Sequence, residues 1–250
     1  MKIMISIFCL FFASAIVAKA QEGNFHLDKE YKINASGVIK LHASDAKVYI
    51  TGSARTTAHV KIDREITTKG FTFGHEEFGV EVSEENGNLD IREHSSSVSV
   101  GIVGYYHEKY TINIEAPQGS SLVVKGDDGD YLIKNIDGSI SLDLDDADVE
   151  LAGCSGNKFD FRMDDGDLII ETSLSDHGEY HIDAQDGMVS FTVTRGGGRF
   201  NIRHDDGRVS TQGDFNIEED SEHRTRLTLA SGVANVDIRT DDARVRLIKK

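Results

Sequence analysis

A short acidic motif recurs along the C-terminal half of this 250-residue chain. Each copy has two residues, most often Asp-Asp, followed by Gly or Ala, and an apolar residue stands two positions later. The Gly or Ala positions are Gly129, Ala147, Gly166, Gly187, Gly207 and Ala243. The first four steps between them are 18, 19, 21 and 20 residues, and the last is 36. A nearly constant period of this size predicts a solenoid, in which each coil buries its apolar face only against its neighbours.

Apolar and polar residues alternate on the N-terminal side of each copy. In one repeat, Phe159, Phe161 and Met163 alternate with Asp160 and Arg162, and a period of two indicates a strand with one buried face. The apolar residue after the motif begins a second strand, so Asp-Asp-Gly predicts a corner between two strands. Gly tolerates positive φ at such a corner, and the Asp side chain accepts hydrogen bonds from nearby backbone N–H groups. The sequence therefore predicts an all-β, single-domain β-solenoid, a right-handed parallel β-helix with coils of ~20 residues.

The pattern is less regular before the repeats. Residues 21–118 predict irregular N-terminal β coils with two excursions, at 69–79 and 95–106, and residues 119–250 predict the regular coils of the same solenoid. Asn86-Gly87 is typical of a two-residue hairpin turn. Pro117 cannot donate a ladder hydrogen bond, which favours a boundary there. The 36-residue step before Ala243 is close to two coils and predicts one enlarged or irregular coil.

The first 20 residues have the pattern of a secretory signal peptide. Lys2 precedes an apolar run, and Ala18-Lys19-Ala20 is a small-x-small cleavage site. The run is too short and wrongly flanked for a membrane span, and no later segment suits one. We therefore expect cleavage near Ala20, no membrane span in the mature chain, and an extracytoplasmic protein that is secreted, periplasmic or on the cell surface.

The net charge limits the classes of binding partner, and the cysteine content indicates whether a disulfide can form. The chain carries 43 acidic and 27 basic side chains, a net charge of −16, which argues against nucleic acid and anionic lipid as partners. Cys9 lies in the predicted signal peptide, so Cys154 stands alone and no intrachain disulfide is expected. Leu151-Ala152-Gly153-Cys154 spells a lipobox, but its position inside a predicted coil indicates a small turn thiol instead.

Stacked corners would align carboxylates along one edge of the solenoid. At a strand spacing of about 4.8 Å, two unit charges repel by roughly 0.9 kcal/mol in water. Backbone donors, neighbouring arginines or cations could offset this cost. No cofactor is required, but calcium, which takes about six to eight oxygen ligands, is the expected ion. The alternative is a solvated turn with local hydrogen bonds. The predicted cation ladder contains Asp127, Asp128, Asp130, Asp145, Asp146, Asp148, Asp164, Asp165 and Asp167.

Several segments together carry a resemblance to a known family. They are Val48-Tyr49-Ile50-Thr51-Gly52, the stretch 112–119 followed by Leu122-Val123-Val124, and the coils that begin at Gly129-Asp130. In this order they resemble the bacterial putative-adhesin domains, which are secreted and envelope proteins of unknown function with stacked β-coils. The resemblance covers nearly all of the mature chain and implies no established catalytic residues. Such coils often have Ser or Asn before Gly, so the acidic edge is this chain's own feature.

The residues and the resemblance together predict a scaffold or adhesion-type binding module without catalysis. Its partner is expected to be a surface protein or a glycan that the sequence does not identify. Aromatic residues of the two excursions, Phe73, Tyr105 and Tyr106, could provide a ligand-binding surface. The other interpretation of these aromatic residues is that they cap the open end of the solenoid core.

Two other functions remain open from the sequence. One is a calcium-assisted polysaccharide-processing enzyme, because large parallel β-helices often carry such chemistry; the short chain and the absence of Trp weigh against it. The other is a self-associating structural coil, because an open solenoid end exposes strand edges. The terminal Lys249-Lys250 and the irregular N-terminal coils would oppose self-association.

Overall fold

The structure, a computed structural model, describes residues 16–19, 24–230 and 232–250, with backbone alone at 16–19, 71–76 and 97–103. Strands and turns make up these residues, and no helix among them is long and apolar enough to cross a membrane. Within the described ranges, nineteen strands form one hydrogen-bonded network. The all-β prediction is therefore confirmed.

The strands follow one another with short connections. They are β1 (Ile16–Lys19), β2 (Phe25–Tyr31), β3 (Val38–Ala43), β4 (Ala46–Ser53), β5 (Ala58–Glu85), β6 (Asn88–Pro117), β7 (Ser121–Gly126), β8 (Gly129–Lys134), β9 (Ile140–Cys154), β10 (Lys158–Asp165), β11 (Asp167–Ser173), β12 (Glu179–Ala184), β13 (Met188–Arg195), β14 (Gly198–Arg203), β15 (Arg208–Gln212), β16 (Phe215–Ser221), β17 (Arg224–Leu229), β18 (Ala234–Thr240) and β19 (Arg244–Lys249).

Each regular coil contributes one strand to each of two layers. The first layer contains β3, β7, the N-terminal half of β9, β10 and β12, all parallel. The second layer contains β4, β8, the C-terminal half of β9, β11 and β13, also parallel. The acidic motifs form the corners that connect the first layer to the second. This arrangement is solenoid-like, as predicted.

The core lies between the two layers. Inward positions alternate with outward ones along the strands, as in β10, where Phe159, Phe161 and Met163 are buried. Tyr180 packs edge-on against Phe159, with ring centroids 5.2 Å apart, and Phe191 follows at 6.3 Å from Tyr180. Aromatic residues from successive coils therefore form one continuous core, so each coil depends on its neighbours for burial.

The last coil in the sequence is not the last coil of the stack. β18 lies between β12 and β14, because Val236 pairs with Tyr180 on one side and with Phe200 on the other. In the second layer, β19 lies between β13 and β15. The sequence predicted one enlarged or irregular coil in the long step before Ala243. This step consists of an antiparallel hairpin and a return of the chain into the stack.

This insertion changes the position of the terminal lysines. Lys249 donates from Nζ to the Thr194 carbonyl oxygen at 2.9 Å, and Lys250 pairs with Glu171 at 2.6 Å. Both residues end a coil that has neighbours on both sides. They therefore do not lie at an open end of the solenoid, which removes the reason to expect that they oppose self-association.

A long hairpin forms one end of the stack of coils. β5 and β6 pair antiparallel from His59 opposite Glu115 to Glu85 opposite Asn88. Asn86 and Gly87 have φ of 52° and 76°, which confirms the predicted two-residue turn. One part of β6 pairs with β3 in the first layer and another with β4 in the second. The two predicted excursions are therefore one two-stranded ribbon, which connects the layers beside the acidic corners.

Two shorter strands complete this end. β2 pairs antiparallel with β5 from Phe25 opposite Arg64 to Tyr31 opposite Ala58. β1 pairs with β5 at positions 79–82 and lies within the predicted signal peptide. Cleavage near Ala20 would remove β1 and expose that edge of β5.

Candidate functional site

Stacked corners produce a continuous column of carboxylates. Ala46, Gly129 and Ala147 occupy equivalent positions on neighbouring strands, and later corners continue this register. The aspartate that precedes each of these positions therefore belongs to one row, which we call the acidic column. Its members in spatial order are Asp45, Asp128, Asp146, Asp165, Asp186, Asp242 and Asp206. The structure adds Asp45, which belongs to an incomplete copy of the motif. It also places Asp242 before Asp206 in the spatial order of the column.

The close stacking of successive corners explains why Gly recurs in the acidic motif. Gly166 has φ of 116°, and a Cβ built there would lie 2.1 Å from the Ala147 carbonyl oxygen. At Gly187, φ is 93° and a Cβ would lie 2.1 Å from the Gly166 carbonyl oxygen. Successive corners therefore approach too closely for a side chain at these positions, which brings their aspartates together.

Electrostatic crowding affects the pKa of the column carboxyls. Desolvation raises the pKa of Asp146, and the charges of Asp128 and Asp165 raise it further. Desolvation also raises the pKa of Asp186, with contributions from Asp165 and Asp242. Like charges on neighbouring corners thus make the ionised form less favourable.

The predicted cation ladder occupies three rows around these corners. Asp128, Asp146 and Asp165 belong to the acidic column, while Asp127, Asp145 and Asp164 precede it and Asp130, Asp148 and Asp167 follow it. An open groove of about 470 Å³ runs along this edge.

Some carboxylates of the ladder already have partners within the protein. Asp130 pairs with Lys47 at 2.7 Å, and Asp148 accepts a hydrogen bond from the Asp167 backbone N–H at 2.9 Å. Among the described residues, no three His, Cys, Asp or Glu side chains converge on a point that could hold a metal ion. Calcium binding along this edge stays a prediction.

A second groove lies on the outer face of the second layer. Tyr49, Leu132, Glu150 and Ile169 are neighbours across four strands, and Tyr49 and Ile169 are 41% and 42% exposed. With Asp130, Asp148 and Asp167 they line a groove of about 320 Å³, which we call the Tyr49 groove. Sequence reasoning missed it, because apolar outward residues of separate strands become neighbours only through the register. The exposed position of Tyr49 in an alternating strand was the available signal.

The aromatic residues of the excursions separate into two groups. Tyr105 is 54% exposed and stacks on His107 with ring centroids 6.4 Å apart. Tyr106 is 39% exposed and donates its hydroxyl to Glu108 at 2.6 Å. The side chain of Phe73 lies outside the described residues. A ligand-binding role for Phe73, Tyr105 and Tyr106 stays a prediction.

Buried aromatic residues of the same region close the core. Phe78 packs edge-on against Phe25 and Tyr110, at 5.7 and 5.3 Å between ring centroids. The guanidinium of Arg64 lies 4.1 Å from the centre of the Phe78 ring and pairs with Glu108 at 2.5 Å. Phe78 and Tyr110 are therefore part of the core at the ribbon end of the molecule.

Cys154 has no features of a reactive thiol. It is 1% exposed, and burial raises the pKa of its thiol to about 11. The neutral thiol therefore dominates at neutral pH, and a buried neutral thiol is a poor nucleophile. The expected small turn thiol agrees with this environment.

Comparison with known proteins identifies the family. The Toastrack DUF4097 family model matches residues 13–247. The chain belongs to the Toastrack family. This match includes both the irregular N-terminal strands and the regular coils. The resemblance to the bacterial putative-adhesin domains is also confirmed.

Solved structures resemble this Toastrack chain over nearly its whole length. A "putative cell adhesion protein" from Clostridium sporogenes has a TM-score of 0.51 and 10% identity, over 91% of this chain and all of that chain. A "putative adhesin" from Bacteroides fragilis has a TM-score of 0.43 and 14% identity, over 91% and 99% of the respective chains. No curated protein matches. The first similarity shows a common fold.

Proposed function

We propose that this Toastrack domain is a non-catalytic binding module of the adhesion type, located outside the cytoplasm, and that its ligand is a glycan. The Tyr49 groove carries the proposal, because it combines exposed apolar side chains with a row of carboxylates. The names of the proteins with similar structures and the predicted signal peptide support adhesion and an extracytoplasmic location.

The chemistry of the Tyr49 groove suits a neutral sugar. An aromatic ring packs well on the apolar face of a pyranose, and carboxylate oxygens accept hydrogen bonds from its hydroxyls. Asp148 and Asp167 lie opposite one another on neighbouring strands, and the backbones of such strands are about 4.8 Å apart. A chain of sugars could therefore lie across the strands and contact several coils at once.

Titration of purified protein with neutral oligosaccharides tests this proposal. We expect Tyr49→Ala to weaken binding about 2- to 12-fold, which corresponds to the roughly 0.5–1.5 kcal/mol of an aromatic contact. Ile217→Ala is the matched control, because Ile217 is also exposed (55%) but lies on β16, away from the groove.

The same titrations separate the other surfaces and functions. If Tyr105→Ala weakens binding and Tyr49→Ala does not, the ribbon is the binding surface and the proposal for the Tyr49 groove is wrong. Shortened oligosaccharides after incubation with calcium would indicate a polysaccharide-processing enzyme. A molecular mass that rises with protein concentration would indicate a self-associating coil.

We also propose that divalent cations, calcium first, stabilise the acidic column. Desolvation raises the pKa of Asp146 and Asp186, and repulsion from neighbouring carboxylates raises it further; this repulsion supports the proposal, because a bound or condensed cation would reduce it. Calcium prefers carboxylate oxygens, which the edge presents in three rows. The ion would stabilise the fold and would not take part in a reaction.

For the architecture, we propose right-handed winding of the ~20-residue coils, because crossovers between parallel strands in one sheet are nearly always right-handed. We further propose the predicted division into a signal peptide at 1–20, irregular coils at 21–118 and regular coils at 119–250. The antiparallel ribbon of β5 and β6 before Pro117 supports the second boundary. The internal position of β18 and β19 shows that the regular coils do not stack in sequence order.

A further inference from the structure

Three arginines lie side by side on the outer face of the first layer. Arg239 on β18 is opposite Arg203 on β14, which is opposite Arg224 on β17. Neighbouring strands are about 4.8 Å apart, and none of the three side chains is buried in the core. In a chain with a net charge of −16, this row is a local concentration of positive charge.

These arginines differ from the basic residues farther along the same row. There, Lys125 and Arg162 pair with Asp143 at 2.7 and 3.8 Å. In the part of the chain that the structure describes, Arg203, Arg224 and Arg239 form no ion pair, although Asp183 is the next residue of the row after Arg239. Like charges directly opposite one another on adjacent strands are destabilising. An anion from outside the chain would offset this repulsion.

The arginines line a groove that contains two unpartnered polar atoms. The groove has a volume of about 540 Å³, and His204, His223 and Thr240 also line it. Thr240 is only 3% exposed, and its Oγ1 has no hydrogen-bond partner among the described residues. Nδ1 of His204 is also buried without a partner there. Thr240 Oγ1 and His204 Nδ1 therefore have hydrogen-bonding capacity beside the arginines that no described residue uses.

Carboxylates at the rim limit what this groove can hold. Glu219 pairs with Arg226 at 3.2 Å, and Asp205 lies 3.8 Å from His223. Asp241 also lines the groove, and Asp206 and Asp242 belong to the nearby acidic column. An extended polyanion would be repelled at this rim. One compact anionic group would be accepted.

We propose that this arginine groove binds a single tetrahedral oxyanion, the phosphate or sulfate group of a larger molecule. Guanidinium N–H pairs match the oxygens of such a group, and the Thr240 hydroxyl can donate to it. Three guanidinium groups offer more donors than the two oxygens of one carboxylate can accept. The site lies on the first layer, away from the Tyr49 groove, and does not depend on glycan binding there.

Calorimetric titration with inorganic phosphate and with sulfate, at an ionic strength held constant with sodium chloride, tests the proposal. We expect saturable binding at one site, which Arg203→Gln weakens by about 10-fold or more, because a hydrogen-bonded ion pair is lost. Arg199→Gln is the control. Arg199 lies on the same strand and outer face but outside the groove, so the same change of charge leaves the affinity unchanged.

A second variant reports on the buried hydroxyl. Thr240→Val keeps the shape of the side chain and removes a buried group without a partner. We therefore expect a higher Tm for the ligand-free protein and weaker phosphate binding. A purely structural role for Thr240 would change the Tm and leave phosphate affinity unaltered.

Three outcomes would overturn the proposal. They are the absence of saturable binding, an equal loss of affinity in Arg203→Gln and Arg199→Gln, and tighter binding of glucuronate than of either tetrahedral ion. If the proposal holds, the ratio of phosphate to sulfate affinity identifies a phosphorylated or a sulfated molecule as the source of the group.

Discussion

At the scale of the residue, the close contact between corners depends on glycine. Gly166 combines φ of 116° with a carbonyl oxygen 2.1 Å from the position of a Cβ. We expect Gly166→Ala to lower the free energy of unfolding by roughly 1–3 kcal/mol, because the strained φ is costly and the Ala147 carbonyl must move. Urea unfolding at neutral pH measures the change.

The reverse substitution at the neighbouring corner is the control. Ala147 occupies the equivalent position without a positive φ, so Ala147→Gly should cost only about 0.5–1 kcal/mol, from the added flexibility of the unfolded chain. An unfolding midpoint of Gly166→Ala equal to that of the unaltered protein would contradict the stacking explanation.

At the scale of the element, the inserted coil determines which strands are interior. β18 and β19 end the described chain but have neighbours on both sides. We expect the backbone amides of Val236 and Ile238 to exchange with solvent as slowly as those of Tyr180 and Ile182, since strands with neighbours on both sides open only with the core. Hydrogen exchange monitored by NMR measures these rates.

The edge strand β16 provides the comparison in that experiment. Its residues are mostly exposed and it pairs with β17, so its amides should exchange by local opening, orders of magnitude faster than those of β18. Exchange of the Val236 and Ile238 amides as fast as in β16 would mean that the last coil lies at an end of the stack.

At the scale of the whole molecule, charge is distributed unevenly. The acidic column lies along the edge that joins the layers, whereas the arginine groove lies on the first layer near β16. We expect calcium to raise the Tm at pH 7 relative to chelator-treated protein, because it reduces repulsion within the column. Changing Asp128, Asp146 and Asp165 together to Asn should remove this rise, as scanning calorimetry can measure.

The effect of pH on this stabilisation has a definite sign. Raised folded-state pKa values mean that Asp146 and Asp186 take up protons above the usual pH range for Asp. Their ionisation destabilises the fold at neutral pH, and acidification through those pKa values relieves it. The gain from calcium should therefore shrink between pH 7 and about pH 4. An equal rise in Tm from sodium chloride at matched ionic strength would indicate screening without calcium binding.

Local chemistry made much of this molecule predictable from its sequence. The period of two, the Asp-Asp-Gly corners and Asn86-Gly87 determined strands and turns, because backbone preference and burial act over a few residues. The recurring spacing also determined that the corners form an acidic edge. Asp45 was identifiable only as part of an incomplete copy, and the stacking of Ala46 on Gly129 places it in the column.

Only the tertiary structure decided which coils are neighbours. The insertion of β18 between β12 and β14 depends on long-range strand pairing, and a strand with one apolar face can pair with several others. That insertion brings Arg239 beside Arg203, and the antiparallel return of β17 adds Arg224. The Tyr49 groove likewise depends on the pairing of strands that are distant in sequence. The sequence by itself determined the coil, and non-local pairing determined the order of coils and the surfaces they form.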